Sequence, residues 1–134
     1  MKGAELLLVE DNDLDARLLT MALQKACPEL TVKRANDGEA GLAALETMKP
    51  DMVVLDVSMP GLDGIEVLDR IRQNQSTSSM PVIMCSNSDS PHDVLRSYQK
   101  HANSYVQKPD SRAGYDALAT SLTRFWFDEA KLPE

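Results

Sequence analysis

The chain has 134 residues, a net charge of −7 and 43% hydrophobic residues, which is the composition of an ordinary soluble domain. A chain of this length hides about 70% of the surface that it exposes when unfolded, so one domain with a true core is expected. The acidic balance, without a cluster of lysine and arginine, argues against nucleic-acid binding. No apolar stretch approaches the ~20 residues of a membrane-spanning helix, so no membrane association is expected.

The amino terminus and the cysteines predict a cytoplasmic protein. The first residues lack the basic head and long apolar run that mark a secretory signal. Cys27 and Cys85 are far apart and lack the spacing of a metal or redox motif, so we expect two free thiols.

The first part of the chain predicts two units, each a strand followed by a helix. Leu6–Val9 is an apolar run of strand length, and the helix after it has four apolar residues at helical spacing: Leu14, Leu18, Met21 and Ala22. We expect these four residues to face the core and Pro28 to end the helix. Thr31–Ala35 is the second predicted strand, and a turn at 36–38 leads into a helix with the stripe Leu42, Leu45 and Met48.

The second part predicts three further units, with strands at Met52–Leu55, Pro81–Cys85 and Tyr105–Val106. We expect Asp63 to cap the third helix and Ser90 to cap the fourth, in a capping box with proline at the first helical position. Each helix has an apolar stripe: Ile65, Leu68 and Ile71 in the third, Val94, Tyr98 and Ala102 in the fourth, and Tyr115, Leu118, Leu122 and Phe125 in the fifth.

Alternation of strands and helices predicts an α/β fold with a parallel sheet. The predicted strands are continuously apolar, which is typical of strands covered by helices on both faces. An open sheet of this kind binds its ligand beyond the carboxyl ends of the strands, where the strand order reverses. The residues that follow each strand are therefore the candidates for a functional site.

Polar side chains stand at the ends of these strands. Glu10 and Asp11 follow the first strand, Asp56 the third and Ser86 the fourth, while Lys108 lies just beyond the fifth. Each one alone has a structural explanation as a turn, cap or surface residue. Together at one sheet edge, three carboxylates and one ammonium leave an excess of negative charge, which a hard cation such as Mg2+ would balance.

The same residues carry a resemblance to a known family. The segments 9–12 (Val-Glu-Asp-Asn) and 55–64 (Leu-Asp-Val-Ser-Met-Pro-Gly-Leu-Asp-Gly), with Ser86, Tyr105 and Lys108-Pro109, resemble the receiver domain of bacterial two-component response regulators in order and spacing. The resemblance covers essentially the whole chain. It implies a flavodoxin-like (βα)5 doubly wound parallel sheet without flavin, of strand order 2-1-3-4-5, in a single domain over 1–134 with a short extension at about 128–134.

The resemblance implies a phosphorylation switch, not an enzyme with an external substrate. Asp56 would accept a phosphoryl group from a phosphohistidine of a sensor histidine kinase, and the domain would assist its own phosphorylation and dephosphorylation. Asp11 and Asp56 would bind Mg2+ directly, Glu10 through water, and Ser58 through its backbone carbonyl. Lys108 would help to neutralise the charge of the transition state, which positioned cations stabilise.

Two further roles follow from the resemblance. Ser86 takes the place of the family's switch hydroxyl and Tyr105 that of the switch aromatic, which fills the space that the hydroxyl vacates. The Lys108-Pro109 bond is a candidate cis peptide, which would aim Lys108 at the site.

The expected output is contact with another protein, because the chain ends soon after its fifth helix. Phe125, Trp126 and Phe127 are consecutive, and one helix face cannot bury all three. Either the fourth and fifth helices form a homodimer surface there, or the tail 128–134 folds back over the aromatic residues. The segments 97–105 and 125–133 further resemble stand-alone regulators paired with bacterial phytochrome kinases.

Three alternatives remain open from the sequence. A phosphatase of the haloacid dehalogenase type also uses a strand-end Asp, but it needs a second Asp where this chain has Ser58. A flavodoxin needs a phosphate-binding loop after the first strand, where this chain has acidic residues. The third alternative is a binding module that has the fold and never takes a phosphoryl group.

Overall fold

The computed structural model describes residues 3–133, which form a five-stranded parallel sheet with helices on both faces. The strand order is β2-β1-β3-β4-β5, as predicted. The elements are β1 Glu5–Val9, α1 Asp13–Ala26, β2 Thr31–Ala35, α2 Gly38–Thr47, β3 Met52–Leu55, α3 Gly64–Gln73, β4 Val82–Ser86, α4 Pro91–Gln99, β5 Ser104–Gln107 and α5 Arg112–Thr123, followed by a π-helical segment, Arg124–Glu129.

The register of the sheet brings the strand ends to one edge. Val9, the last residue of β1, pairs with both Ala35 of β2 and Leu55 of β3. At the other side of the sheet, Ser86 of β4 pairs with Gln107 of β5. Because all strands are parallel, the residues that follow them emerge side by side.

Two apolar cores lie on the two faces of the sheet, since successive strand residues point to opposite sides. One core contains Leu6 and Leu8 with buried residues of α1 and α5. The other contains Leu7 and Val9 with buried residues of α3, and the stripe of α2 packs against it. Strands buried on both faces explain the continuous apolar runs of the sequence.

The buried face of α1 agrees with the prediction at Ala22 and at the half-buried Leu18, but not at Leu14 and Met21. Ala16, Leu19, Ala22 and Leu23 are buried, whereas Leu14 is 61% exposed and Met21 is 47% exposed. The helix carries two overlapping apolar stripes, and the one that contains the small Ala16 faces inward against α5. Small side chains allow close helix packing, and a count of large apolar residues misses that preference.

The fifth helix also departs from the predicted stripe. Its α-helical turns give way to the π-helical segment, and a π turn adds about one residue. Phe127, five residues after Leu122, is therefore buried at 3% exposure, while Phe125 is 53% exposed. The prediction that Phe125 lies on the core face is wrong, and Phe127 is too deeply buried to serve as an interface residue.

The half-buried Trp126 packs against the same core as Phe127, and so does Leu132 from the following segment. The rings of Phe125 and Trp126 make an edge contact with centroids 5.3 Å apart. The tail thus folds back toward this core, but Phe125 stays exposed.

Helix capping follows the prediction at α3 and departs from it at α4. The Asp63 carboxylate accepts a hydrogen bond from the Glu66 N–H at 3.0 Å. Ser90 occupies the cap position of α4, but its side chain makes no capping bond. The carboxylate of Asp93 instead accepts from the Ser88 hydroxyl at 2.7 Å, so the predicted capping box is absent at this helix.

Cys27 and Cys85 are free, as predicted. Burial raises the pKa of the Cys85 thiol to about 12, which keeps it protonated. Among the helices of residues 3–133, none combines the length and the hydropathy that crossing a bilayer requires.

Candidate functional site

Three carboxylates meet at the carboxyl edge of the sheet. Glu10 and Asp56 directly follow β1 and β3 and are each 4% exposed, while Asp11 is exposed. One oxygen atom from each of the three lies within 4.8 Å of the others. The Asp56 N–H donates to the Val9 carbonyl at 3.1 Å, which continues the pairing of β1 and β3 up to the site.

The loop between β3 and α3 folds back directly below Asp56. The Gly64 N–H donates to the Val57 carbonyl at 2.9 Å, and a side chain at residue 64 would overlap the Asp56 carbonyl. Glycine is therefore needed there. The Ser58 N–H donates to Asp56 Oδ1 at 3.3 Å, which holds the carboxylate from the loop side.

Lys108 reaches the carboxylates from the other side. Its N–H donates to the Ser86 carbonyl at 2.7 Å, which extends the β4–β5 ladder and fixes the base of the side chain. The side chain is 5% exposed, and Nζ lies near one oxygen of three carboxylates: Glu10 at 2.7 Å, Asp15 at 2.9 Å and Asp56 at 3.1 Å. The ammonium donates hydrogen bonds to Asp15 and Asp56 and forms an ion pair with Glu10.

The pKa values of Lys108 and Glu10 reflect this crowding. Burial alone would lower the pKa of Lys108, but hydrogen bonds to Glu10 and Asp15 and the charge of Asp56 raise it overall. Burial, together with the charge of Asp56, raises the pKa of Glu10 to about 7, although the hydrogen bond from Lys108 opposes this. One ammonium therefore does not neutralise the carboxylates around it.

A cavity of about 230 Å³ opens above these groups, large enough for several water-sized groups. Its lining includes five of the predicted site residues: Asp11, Asp56, Ser58, Ser86 and Lys108. Asn12, Asp15 and Asn87 complete the lining. The structure thus brings the sequence-predicted acidic residues, hydroxyl and ammonium to one site.

The chain matches the response regulator receiver domain over residues 6–119. It belongs to this family.

Solved and curated relatives agree with this assignment of the receiver domain. This chain is 30% identical to the response regulator Rcp1 of Synechocystis sp., and the alignment covers 96% of this chain and 92% of Rcp1. Its fold matches the crystal structure of the phosphorylated cyanobacterial phytochrome response regulator RcpA with a TM-score of 0.93 and 30% identity, covering 98% of this chain and 99% of RcpA. A similar match, with a TM-score of 0.89, 30% identity and the same coverage, is to RPA3017 in red light signaling of R. palustris.

The donor set of the receiver domain fits a divalent cation. Glu10, Asp11 and Asp56 supply hard, anionic oxygen atoms at an opening to solvent, which suits Mg2+ or Mn2+ better than softer metals. Rcp1 has been crystallised in an Mn2+-bound form, and that structure matches this chain with a TM-score of 0.90 and 30% identity over 98% of this chain and 99% of Rcp1. The backbone carbonyl of Ser58 remains a predicted ligand.

The two predicted switch residues of the receiver domain are both connected to Ser88. The Ser86 hydroxyl, in a residue 1% exposed, accepts from the Ser88 N–H at 3.2 Å. The half-buried Tyr105 donates its hydroxyl hydrogen to the Ser88 carbonyl at 2.7 Å, and its own N–H donates to the Tyr98 hydroxyl at 3.1 Å. A change at Ser86 can therefore reach Tyr105 through one residue of the β4–α4 loop.

The Lys108-Pro109 bond, a candidate cis peptide from the resemblance, is not cis. That peptide bond is trans, as are all others within residues 3–133. Lys108 still points into the site, because the hydrogen bond of its N–H to Ser86 sets its direction. A cis bond is not needed for the long side chain to reach Asp56.

Asp15 is the site residue that the sequence prediction missed. It lies in the first turn of α1, four residues after Asp11, and its N–H donates to the side chain of the helix cap Asn12 at 2.9 Å. Its position in the first helical turn after the Glu10-Asp11 pair is the signal that could have pointed to it. The signal is weak because acidic residues are common in first helical turns for electrostatic reasons alone.

Proposed function

We propose that this receiver domain is a phosphorylation switch that accepts a phosphoryl group on Asp56 from a sensor histidine kinase, in a Mg2+-dependent reaction. The observation that supports this most strongly is the 3.1 Å contact between Lys108 Nζ and Asp56 Oδ2 beside the carboxylates of Glu10 and Asp11. Asp56 is the carboxylate in this group that contacts the ammonium, belongs to the acidic cluster and lines the cavity.

The proposed step is an in-line displacement at phosphorus. A carboxylate oxygen of Asp56 forms the new bond to phosphorus, the bond from phosphorus to the kinase histidine breaks, and its electron pair returns to the imidazole nitrogen. The Lys108 ammonium lies where it can pair with a phosphoryl oxygen as charge spreads over the equatorial atoms. Attack of water at phosphorus would break its bond to the Asp56 oxygen, release inorganic phosphate and restore the carboxylate, so the same positioned groups would assist both phosphorylation and dephosphorylation.

Bound Mg2+ would neutralise charge on the phosphoryl oxygens. Asp11 and Asp56 would hold the ion directly, Glu10 through a water molecule, and Ser58 by its backbone carbonyl. Mg2+ takes few protein carboxylates and keeps several water molecules, which agrees with an acidic cluster open to a cavity.

The switch would run from Ser86 to Tyr105. If the Ser86 hydroxyl turns toward a phosphoryl oxygen, it ceases to accept from the Ser88 N–H, and the β4–α4 loop loses that restraint. Tyr105 bonds to the carbonyl of the same Ser88, so its ring would shift with the loop.

We propose a bacterial phytochrome kinase as the partner, because RcpA is a cyanobacterial phytochrome response regulator and RPA3017 acts in red light signaling. We also propose that the domain signals from the cytoplasm by protein contact alone. Phosphotransfer from a panel of purified kinases would test the partner. Transfer that is faster from a non-phytochrome kinase would argue against this assignment.

A homodimer through α4 and α5 is part of the proposal. Leu95 and Tyr98 on α4 are 56% and 47% exposed, and Phe125 after α5 is 53% exposed. We expect Phe125→Ala to weaken self-association in sedimentation equilibrium by about thirtyfold, because one interface hot spot contributes about 2 kcal/mol. Leu14→Ala, which removes an exposed leucine from α1, is the matched control. A wild-type protein that stays monomeric at high concentration would refute the dimer.

The test of the main proposal is intact mass after incubation with acetyl phosphate and Mg2+. We expect one added phosphoryl group on the wild-type protein and none on Asp56→Asn. No added mass on the wild type would favour an inert binding module. Continuous phosphate release from many small esters would favour a phosphatase.

A further inference from the structure

Lys108 has three carboxylate partners, and they differ in what the proposed reaction does to them. Glu10 and Asp56 belong to the acidic cluster that can hold a divalent cation, so a bound cation competes with the ammonium for their oxygen atoms. Phosphorylation would also turn Asp56 into an acyl phosphate and remove its carboxylate charge. The third partner, Asp15, lies outside that cluster.

Asp15 is held in place from two sides. The side chain of Asn12 caps α1 by accepting from the Asp15 N–H at 2.9 Å, which fixes the backbone. The Tyr115 hydroxyl of α5 approaches Asp15 Oδ1 at 3.5 Å, while Asp15 Oδ2 accepts from Lys108 at 2.9 Å. The Asp15 side chain is 22% exposed, so this ion pair is better shielded from solvent than a pair on the open surface.

We infer that Asp15 is a positioning residue of the phosphoryl-accepting site: it holds the Lys108 ammonium toward residue 56 while the other two carboxylates serve the cation and the phosphoryl group. This inference rests on the proposed function. Lysine is a flexible point charge on a four-carbon stem, and without a fixed partner it would sample several directions. A fixed ammonium contributes more to a charged transition state than a mobile one.

The ordinary alternative is that Asp15 only stabilises the amino end of α1. Acidic residues in a first helical turn do so through the helix dipole. Asp13 occupies the same turn and pairs with Arg34 at 2.8 Å, away from Lys108. Asp13→Ala is therefore a matched control that removes a carboxylate from the same turn.

The test is a double-mutant cycle on the rate of phosphorylation by acetyl phosphate at saturating Mg2+, followed by intact mass. We expect Asp15→Ala to lower the rate by about tenfold, the scale of one charge-assisted hydrogen bond, and Asp13→Ala to leave it near the wild-type value. In a Lys108→Ala background, Asp15→Ala should change the rate by less than about twofold, because residues that act through each other are not additive.

A second measurement reports on the ammonium itself. The Lys108 Nζ resonance in nitrogen-15 NMR, assigned by its loss in Lys108→Ala, should be protected from solvent exchange in the wild type and in Asp13→Ala with Mg2+ bound. We expect it to broaden or vanish in Asp15→Ala, whose other resonances report whether the fold is intact.

A wild-type rate in Asp15→Ala, an equal loss in the Lys108→Ala background, or a protected Lys108 signal in Asp15→Ala would each overturn the inference and leave the proposed function standing. An unphosphorylated wild-type protein would instead refute the proposed function, and the inference would fall with it.

Discussion

Two partly buried cations sit at opposite ends of the sheet in opposite surroundings. Lys108, at the carboxyl end, contacts three carboxylates. Arg72, at the amino ends of β4 and β5, has four hydrogen-bond acceptors within residues 3–133, and all are neutral oxygen atoms: the carbonyls of His101 at 2.9 Å, Ser78 at 3.1 Å and Met80 at 2.6 Å, and the side-chain amide of Asn103 at 3.0 Å.

The charge of the partners distinguishes a purely structural contact, at Arg72, from a contact that responds to pH and to cations, at Lys108. The four acceptors of Arg72 are uncharged. We therefore expect its hydrogen bonds to be insensitive to pH and to divalent cations. Burial lowers the pKa of Arg72, yet a guanidinium stays charged in proteins. The partners of Lys108 are anionic, and they outnumber it, so pH, cations and phosphorylation all alter their balance.

The largest effect on stability is expected at Arg72, at the amino end of the sheet. Arg72→Ala should lower the free energy of unfolding by about 3 kcal/mol, because it leaves several carbonyls without their donor. Urea titration would measure this, with Arg70→Ala, an exposed arginine of the same helix, as the control. We expect the phosphorylation rate to stay unchanged. A phosphorylation rate that falls in Arg72→Ala but not in Arg70→Ala would show that the two ends of the sheet are not independent.

The carboxyl end of the sheet should be stabilised most strongly by a divalent cation. Mg2+ at about one hundred times its dissociation constant should raise the free energy of unfolding by about 2.7 kcal/mol. The gain should persist in Arg72→Ala and be lost in Asp11→Asn, as thermal unfolding would show. It should also grow as the pH rises through about 7, where Glu10 loses its proton. An equal gain in Asp11→Asn would place the cation elsewhere.

Glu10 should destabilise the metal-free protein at high pH. Its pKa is raised from 4.5 to about 7 on folding, so its stabilising contribution is complete below pH 4.5 and lost as the pH rises through 7. Glu10→Gln removes the ionised form and should therefore raise the free energy of unfolding at pH 8. At pH 4 the two proteins should be equally stable. Urea titrations with EDTA at both values measure this, and destabilisation at pH 8 would contradict it.

The smallest effect on stability is expected for an uncharged hydrogen bond at the carboxyl end of the sheet, between Tyr105 and Ser88. Tyr105→Phe removes the hydrogen bond to the Ser88 carbonyl and should cost about 1 kcal/mol. Because no charge is involved, we expect the same cost at pH 5.5 and pH 8 in chemical denaturation. A cost that depends on pH would show that the two kinds of contact at this end are coupled.

The sequence predicted the sheet and most of the site because both depend on simple patterns. Continuous apolar runs marked the buried strands, and polar residues at their ends marked the shared edge. Asp15 was missed because its role depends on where the flexible side chain of Lys108 ends, 93 residues away in the chain. Local pattern does not reveal such a contact.

Side-chain packing between helices was also harder to predict than the elements themselves. The inward face of α1 is selected by the small Ala16 and by the packing against α5, not by the number of large apolar residues. The burial of Phe127 in place of Phe125 depends on one π turn. A helix of regular period does not predict that shift.

The central claim is that Asp56 can take a phosphoryl group because a divalent cation and the Lys108 ammonium together offset the negative charge around it. The direct test compares phosphoryl incorporation from acetyl phosphate in wild-type protein with Mg2+ and with EDTA, by intact mass. We predict one phosphoryl group per chain with Mg2+ and almost none with EDTA. Equal incorporation in both would contradict the claim.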